Sequence, residues 1–507
     1  MKQHLHGLAI FFLSSLPLFC QPALELAGLF SDHMVVQRDR AVPVWGRAAP
    51  GDEVTLDFAD QTKTALADER GQWSLVLDPM EAHAVGRTLL VRSRRDTKNI
   101  SVNDVLVGDV WLCSGQSNMH FRMQSVENAK QEMAAMNFPR VRFLTVNQQF
   151  GQEPLTQIKA AWNLLSPASA AECSAVACYF GTALHKEKNI PIGLIISSVG
   201  GTRIESWMRR ETLAATVESR SLIDKWKDMP AVEFEQIGKA YSAYQHQRDH
   251  VHPMALGEAR AQGRPAPAAP VAPKLRCHDC PSALHNGMIA PLQPYALRGA
   301  IWYQGESNAG QSKPYQKLLP AMIADWRGVW GKDMPFLFVQ LAPHRSIHPS
   351  FREAQHQIWQ NTPHTAMVVT TDVGDAGNIH PARKRPVGER LAIAARSLSY
   401  GETIVSSGPV FQAMTIKNER AIISFDHVGQ GLIAHNGALR GFSLAGQDGK
   451  FLPAEAVIEG RTVVVSSARV SQPVAVRYNW AIMPEGNLHN REGLPAPPFR
   501  TDSSNAP

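Results

Sequence analysis

Three hydrophobic rhythms run along the chain and divide it. Over 24–103 apolar and polar residues alternate: Val54, Leu56 and Phe58 share one face of VTLDF, and Trp73, Leu75 and Leu77 one face of WSLVL. A period of two marks a half-buried strand. The turn signals PGDE and DERGQ separate these runs, so a small β-sandwich module is predicted. Over 104–405 the runs become continuously apolar: VLVGDVWL, IGLIISSVG, LRGAIWYQG, MPFLFVQL and TAMVVTTDVG. Amphipathic stretches lie between them. From Tyr315 apolar residues recur at Leu318, Leu319, Met322, Ile323 and Trp326, one face of a helix. Ser312 and Pro314 suit its start, Pro320 predicts a kink, and a further helix is expected from near Pro386. Apolar strands alternating with helices predict a parallel sheet, whose ligands sit beyond the carboxyl ends of its strands.

Inside that region 211–284 reads as an excursion, helical and polar at first, then extended through the Pro/Ala-rich GRPAPAAPVAP at 263–273. It either covers the mouth of a site or is a lengthened surface loop. From 406 to 507 β patterning returns in AIISF, VVVSS and VAVRYNW. Val474, Val476, Tyr478 and Trp480 alternate there, and Asp448 with Gly449 signals a hairpin.

Composition narrows the class. With 507 residues the chain exceeds one ordinary core, and 44% hydrophobic with 19% charged residues is a globular balance. The net charge of +6 is small for this length and forms no Lys/Arg block, so nucleic-acid binding is not expected. Residues 1–23 read as an export leader: Lys2, an apolar run over 8–19 too short to span a bilayer, then small residues ending at Ala23. Phe19 before Cys20 is wrong for a lipid anchor. No later segment predicts a membrane span, and a periplasmic or secreted bacterial protein is expected. Removing Cys20 leaves Cys113, Cys173, Cys178, Cys277 and Cys280, an odd number and too few for a disulfide framework. CHDC at 277–280 lacks the second pair of a zinc site, so a surface disulfide or two idle thiols is expected there.

Four polar stretches follow apolar runs. WLCSGQSNM, 111–119, sets Ser117 on a strand-to-helix turn. Met119 stands where the nucleophile elbow of an α/β-hydrolase has its second glycine, so that elbow is not supported. In IISSVGGTRIESW, 195–207, Gly200 and Gly201 let the backbone approach a ligand and offer an unhindered N–H. AIWYQGESNAG, 300–310, brings the Gln304 amide and the Glu306 carboxylate to the end of a strand. TTDVGDAGNIHPARKRPVGERLA, 370–392, carries His380 on a loop stiffened by Pro381. A serine alcohol is a poor nucleophile without a base, and histidine is the usual one. Each stretch alone also has a purely structural reading.

Together they resemble the sialate O-acetylesterase group of the SGNH hydrolase superfamily. GQSNM, GGTRIESW, WYQGESNA and NIHP match its blocks in order, and the likeness extends to LFSDHMVVQRDRAVPVWGRAAPG, HNGMIAPL and EGLPAPPFRTD. The resemblance implies a three-layer α/β/α, flavodoxin-like catalytic domain with flanking β modules. It implies Ser117 as nucleophile, His380 as general base, and an oxyanion hole of the Ser117 N–H, the Gly201 N–H and the Gln304 side chain. It implies no cofactor and no metal. Many SGNH enzymes carry an orienting aspartate three residues before the histidine. Here that place is Gly377, leaving a backbone carbonyl or Asp375 as the orienter, with Asp372 behind them. Asn118, Arg203 and Glu306 are candidate substrate contacts, and Arg203 suits a sialate carboxylate or else pairs with Glu205. Trp111, Trp207 and Trp302 either stack on sugars or fill the core. The expected partner is an acetylated carbohydrate: O-acetylated sialic acid, or plant hemicellulose such as xylan or xyloglucan. A lipase-like esterase and a catalytically dead carbohydrate-binding protein are the readings of other kinds.

Overall fold

The computed structural model describes residues 23–96, 99–273, 276 and 279–502. The expected leader, with Cys20, lies outside the described residues except for Ala23, and so does Cys277 of CHDC. The apolar run that ends at the candidate nucleophile belongs to a sixteen-residue strand, β1 (Ile100–Gly115). Its first part pairs antiparallel with His83–Ser93, Leu89 facing Val102 and Val91 facing Ile100. Its last seven residues, from Asp109, pair parallel with β4 (Ile192–Ser198). The expected boundary at 103/104 therefore falls inside one strand, and one apolar cluster runs from Leu24 to Ala395. The N-terminal strands alternate as their sequence requires: Val54, Leu56, Phe58, Trp73, Leu75 and Leu77 are all buried.

The fold is α/β, with a central mixed sheet and separate β sheets at either end of the chain. Its other strands are β2 (Phe138–Thr145), β3 (Trp162–Leu165), β5 (Gly299–Tyr303), β6 (Phe336–Val339) and β7 (Thr365–Val368). They lie in the order β3-β2-β4-β1-β5-β6-β7. All neighbours are parallel except β3, an antiparallel edge on β2. The inner strands β4, β5 and β6 are buried at every position, which is why their sequences show no alternation. Gly115 pairs with both Ser198 and Tyr303, so β4, β1 and β5 end level. Three of the four candidate stretches thus start from one rim.

Two helix pairs accompany the sheet. α2 (Ala175–Lys188) packs on α5 (Arg385–Tyr400), and α3 (Ser312–Trp330) packs on α4 (Pro349–Asn361); α1 (Ser117–His120) is a single turn after β1. The apolar face read from Tyr315 to Trp326 is buried throughout, and α3 runs through Pro320 as one helix. Trp111, Trp207 and Trp302 are core residues, at most 1% exposed, with Trp207, Trp302 and Trp326 stacked edge to face in sequence. They offer no platform to a sugar. The excursion forms helices Arg210–Ala214, Arg220–Trp226, Ala231–His246 and His252–Ala261 around a small cluster of Trp226, Phe234, Cys280 and Ala283. Cys280 is buried, as are the thiols of Cys113, Cys173 and Cys178. The C-terminal module has its own cluster, from Ala421 to Phe499. In its strand Ala475–Tyr478, Val476 and Tyr478 point inward as expected, whereas Val474 stands 41% exposed before the strand begins. Among the described residues no helix is long and apolar enough to cross a membrane.

Candidate active site

The strand β1 ends at Gly115 with φ 137°, a conformation an L side chain rarely adopts, and a Cβ there would stand 2.2 Å from the Tyr303 carbonyl oxygen. The glycine lets the chain turn sharply against β5. Gln116 then locks the turn: its N–H donates to Tyr303 O at 2.9 Å, and its Oε1 accepts from the N–H of Gly305 and of Ser307. Ser117 follows as the first residue of α1.

The Ser117 Oγ lies 2.8 Å from His380 Nε2, across 263 residues of chain. That is hydrogen-bond distance for a nucleophile and its base. His380 is half-buried on the loop between β7 and α5. Burial first, then the positive charge of Lys384 and the proximity of His344, holds its pKa below the ordinary histidine value. The shift favours the neutral imidazole, the form that accepts a proton.

The glycine turn after β4 approaches the same point. A Cβ on Gly200 would lie 3.4 Å from that of Ser117, and Gly201 takes φ 75°. Among the described residues neither the Ser117 N–H nor the Gly201 N–H has an acceptor. Both are free to receive developing negative charge. Gln304 departs from its expected role. It is fully buried, and its two amide hydrogens go to Thr202 O at 3.0 Å and Asn308 Oδ1 at 2.9 Å, while Oε1 accepts from the Tyr315 hydroxyl. Gln304 thus holds the glycine turn in place and offers no spare donor to an oxyanion.

Two other candidates are corrected. Asp375 makes no hydrogen bond with His380; its Oδ1 accepts from the N–H of Gly377 and of Asn378, capping its own loop. Asp372 is tied to Arg390 by two hydrogen bonds at 2.6 and 2.7 Å. No backbone carbonyl among the described residues accepts from His380 Nδ1 either. Asn118 and Glu306 are not placed to meet a substrate. The Asn118 Nδ2 donates to Glu306 Oε1 at 2.5 Å and to Ile379 O at 3.0 Å, and its Oδ1 accepts from Lys384 Nζ. Arg203 is exposed and its guanidinium has no partner among the described residues, while Glu205 accepts from Asn308 Nδ2. Sequence reasoning missed Lys384, which looks like one member of the basic run ARKRP but is 1% exposed. It also missed Gln116 and His344. Only their nearness in sequence to Ser117 and to the strand end at Val339 hinted at either. Among the described residues no three His, Cys, Asp or Glu side chains are grouped as a metal ion would need.

Comparison with known proteins bears on this geometry. The family model for carbohydrate esterase, sialic acid-specific acetylesterase, matches residues 107–232 and 282–397, and the break between its segments falls in the excursion. The sialate O-acetylesterase of Mus musculus is 30% identical over 529 residues, covering 94% of this chain and 94% of that protein. That of Homo sapiens is 28% identical over 530 residues, covering 94% and 92%. A solved carbohydrate acetylesterase from Xanthomonas citri superposes with a TM-score of 0.79 at 34% identity, covering 95% of this chain and all of that one.

Proposed function

The chain belongs to the sialic acid-specific acetylesterase family of carbohydrate esterases, and on that premise we propose that it removes O-acetyl groups from sialic acid through a Ser117 acyl-enzyme. That it is a carbohydrate O-acetylesterase follows from the family itself. The observation that carries the residue assignment is the 2.8 Å contact between Ser117 Oγ and His380 Nε2 beside two unengaged N–H groups.

In the first half-reaction His380 Nε2 accepts the Ser117 hydroxyl proton as Oγ attacks the acetyl carbonyl carbon. The carbonyl oxygen becomes an oxyanion and takes hydrogen bonds from the N–H of Ser117 and of Gly201. Losing one such donor costs roughly 3 kcal/mol in comparable sites. His380 then gives the proton to the departing sugar alcohol, leaving an acetyl ester on Ser117. In the second half-reaction His380 takes a proton from water, whose oxygen attacks the ester. Acetic acid leaves and ionises to acetate in solution, and His380 returns its proton to Oγ. No residue is needed at Nδ1 to balance these steps, although an orienter usually helps.

The strand order, with helix pairs packed among its strands, supports a three-layer α/β/α arrangement of the SGNH kind. The apolar leader sequence supports export to the periplasm or beyond. The sialate reading draws on Arg203, an unpartnered guanidinium two residues past Gly201, able to take a sugar carboxylate in bidentate fashion.

Acetate release from O-acetylated sialic acid, acetylated xylan and acetylated xyloglucan, measured side by side, tests the proposal. Ser117→Ala is expected to lower turnover by at least roughly 10³-fold. Release from plant glycans alone would overturn the sialate assignment and keep the esterase. Preference for long acyl chains in an ester series would point to a lipase. Sugar binding by both forms without Ser117-dependent release would favour a binding module.

A further inference from the structure

A buried polar cluster lies behind the reacting pair, and nothing in the acyl-transfer steps uses it. Its centre is Asn118, the residue after the nucleophile. Through one amide it touches three residues on two loops: Glu306 after β5, and Ile379 and Lys384 on either side of His380. Ile379 is bonded to His380 in the chain, so the hydrogen bond to its carbonyl sets where the base stands relative to Ser117. The orientation of the amide decides this. If it were turned over, Oδ1 would face the Ile379 carbonyl and the Glu306 carboxylate, both acceptors. Lys384 Nζ, a donor only, forces Oδ1 towards itself and Nδ2 towards the other two.

Lys384 is an expensive residue to keep there. Its ammonium is buried between the rings of Phe121 and Tyr303, 4.8 and 5.4 Å from their centroids. Burial pushes its pKa down to about 7, and Glu306 opposes the fall. Burial likewise raises the Glu306 carboxyl, against the Asn118 hydrogen bond and the Lys384 charge. The ionisable groups facing Lys384 are Glu306, Tyr303 and His380; those facing His380 are Lys384 and His344.

We propose that Lys384 is a positioning residue for the dyad: it fixes the Asn118 amide that clamps the nucleophile turn to the histidine loop, and it sets a buried positive charge beside His380. The inference rests on the reading of Ser117 and His380 as nucleophile and base.

The test is kcat/KM against pH on p-nitrophenyl acetate for the wild-type enzyme, K384M, E306Q and the double variant. Methionine keeps the apolar length and removes the charge. A cation near an imidazole lowers its pKa, so removing it is expected to move the acid limb up by about one pH unit. That is a roughly tenfold loss of kcat/KM on the acid side, added to any pH-independent loss from the freed amide. E306Q keeps an acceptor for Asn118 but withdraws the carboxylate that favours the ammonium. Its limb is expected to move the same way, and the two shifts are expected not to add in the double variant. A purely structural role would lower activity evenly at every pH, and acid limbs that coincide in all four proteins would overturn the proposal. If K384M fails to fold, the E306Q limb decides alone: a limb at the wild-type position overturns it. Wild-type enzyme with no Ser117-dependent turnover would overturn the dyad reading and this inference with it. An active enzyme with unmoved limbs would overturn only the inference.

Discussion

At the scale of single residues the site is made by partners rather than by residue types. Asp375 shows this. It lies five positions before His380, a plausible distance for an orienting acid, yet its carboxylate is held by two N–H groups of its own loop. Asp375→Asn is therefore expected to leave kcat on p-nitrophenyl acetate within about threefold, because an amide oxygen caps the loop as well. Losing a true orienting acid costs on the order of 10⁴. A fall of that size would mean that the loop folds onto His380 during turnover. Gln304 and Arg203 make the same point in opposite ways: the buried amide has both hydrogens engaged, and the exposed guanidinium has no partner among the described residues. The three basic residues of ARKRP look alike in sequence, but one of them, Lys384, is buried in the interior.

Elements position these residues by where they stop. β4, β1 and β5 end in register, so the turns after them meet without any long loop having to reach. Gly115 is the tightest point. Its left-handed backbone and the 2.2 Å approach to Tyr303 O leave no room for a methyl group. Gly115→Ala is expected to cost roughly 2–4 kcal/mol, read as a lower denaturant midpoint. It should also lower kcat, since β1 and β5 must part just before Ser117. An unchanged midpoint would show that the turn relaxes freely. The helices were easier to anticipate. The face from Tyr315 to Trp326 is a strong 3.6-residue repeat, and its burial against the sheet outweighs the hydrogen bond lost at Pro320.

Across the whole molecule, the N-terminal module and the catalytic sheet share β1 and one apolar cluster, whereas the C-terminal module has a cluster of its own. Arg352 of α4 joins that module to the rest. It is fully buried with no carboxylate against it among the described residues, and burial lowers its pKa to about 10. It donates to Leu341 O at 3.1 Å within the catalytic region, and to Ala481 O at 3.0 Å and Ile482 O at 2.9 Å in the C-terminal module. Arg500 adds an outer tie, to Glu353 at 2.7 Å. Arg352→Met keeps the bulk and leaves the buried Leu341 carbonyl and the part-buried Ala481 and Ile482 carbonyls without this donor, at an expected cost of roughly 2 kcal/mol. The expected result in calorimetry is a separate, earlier transition for the C-terminal module, with the catalytic transition little moved. A single transition at the wild-type temperature would show that the other contacts suffice.

The amino-acid sequence by itself determined the strands, the main helices and the four polar blocks at strand ends, because periodicity and short motifs are local and survive without knowledge of the fold. Its likeness to a known family also paired Ser117 with His380. Only the tertiary structure decided which polar groups those blocks meet. Asn118 finds Lys384 across 266 residues, and Gln304 finds Thr202 across 102. A side chain's burial, its charge and its free hydrogens follow from neighbours brought together by the packing of strands and loops, and nothing within a few residues of Lys384 marks it as the buried one.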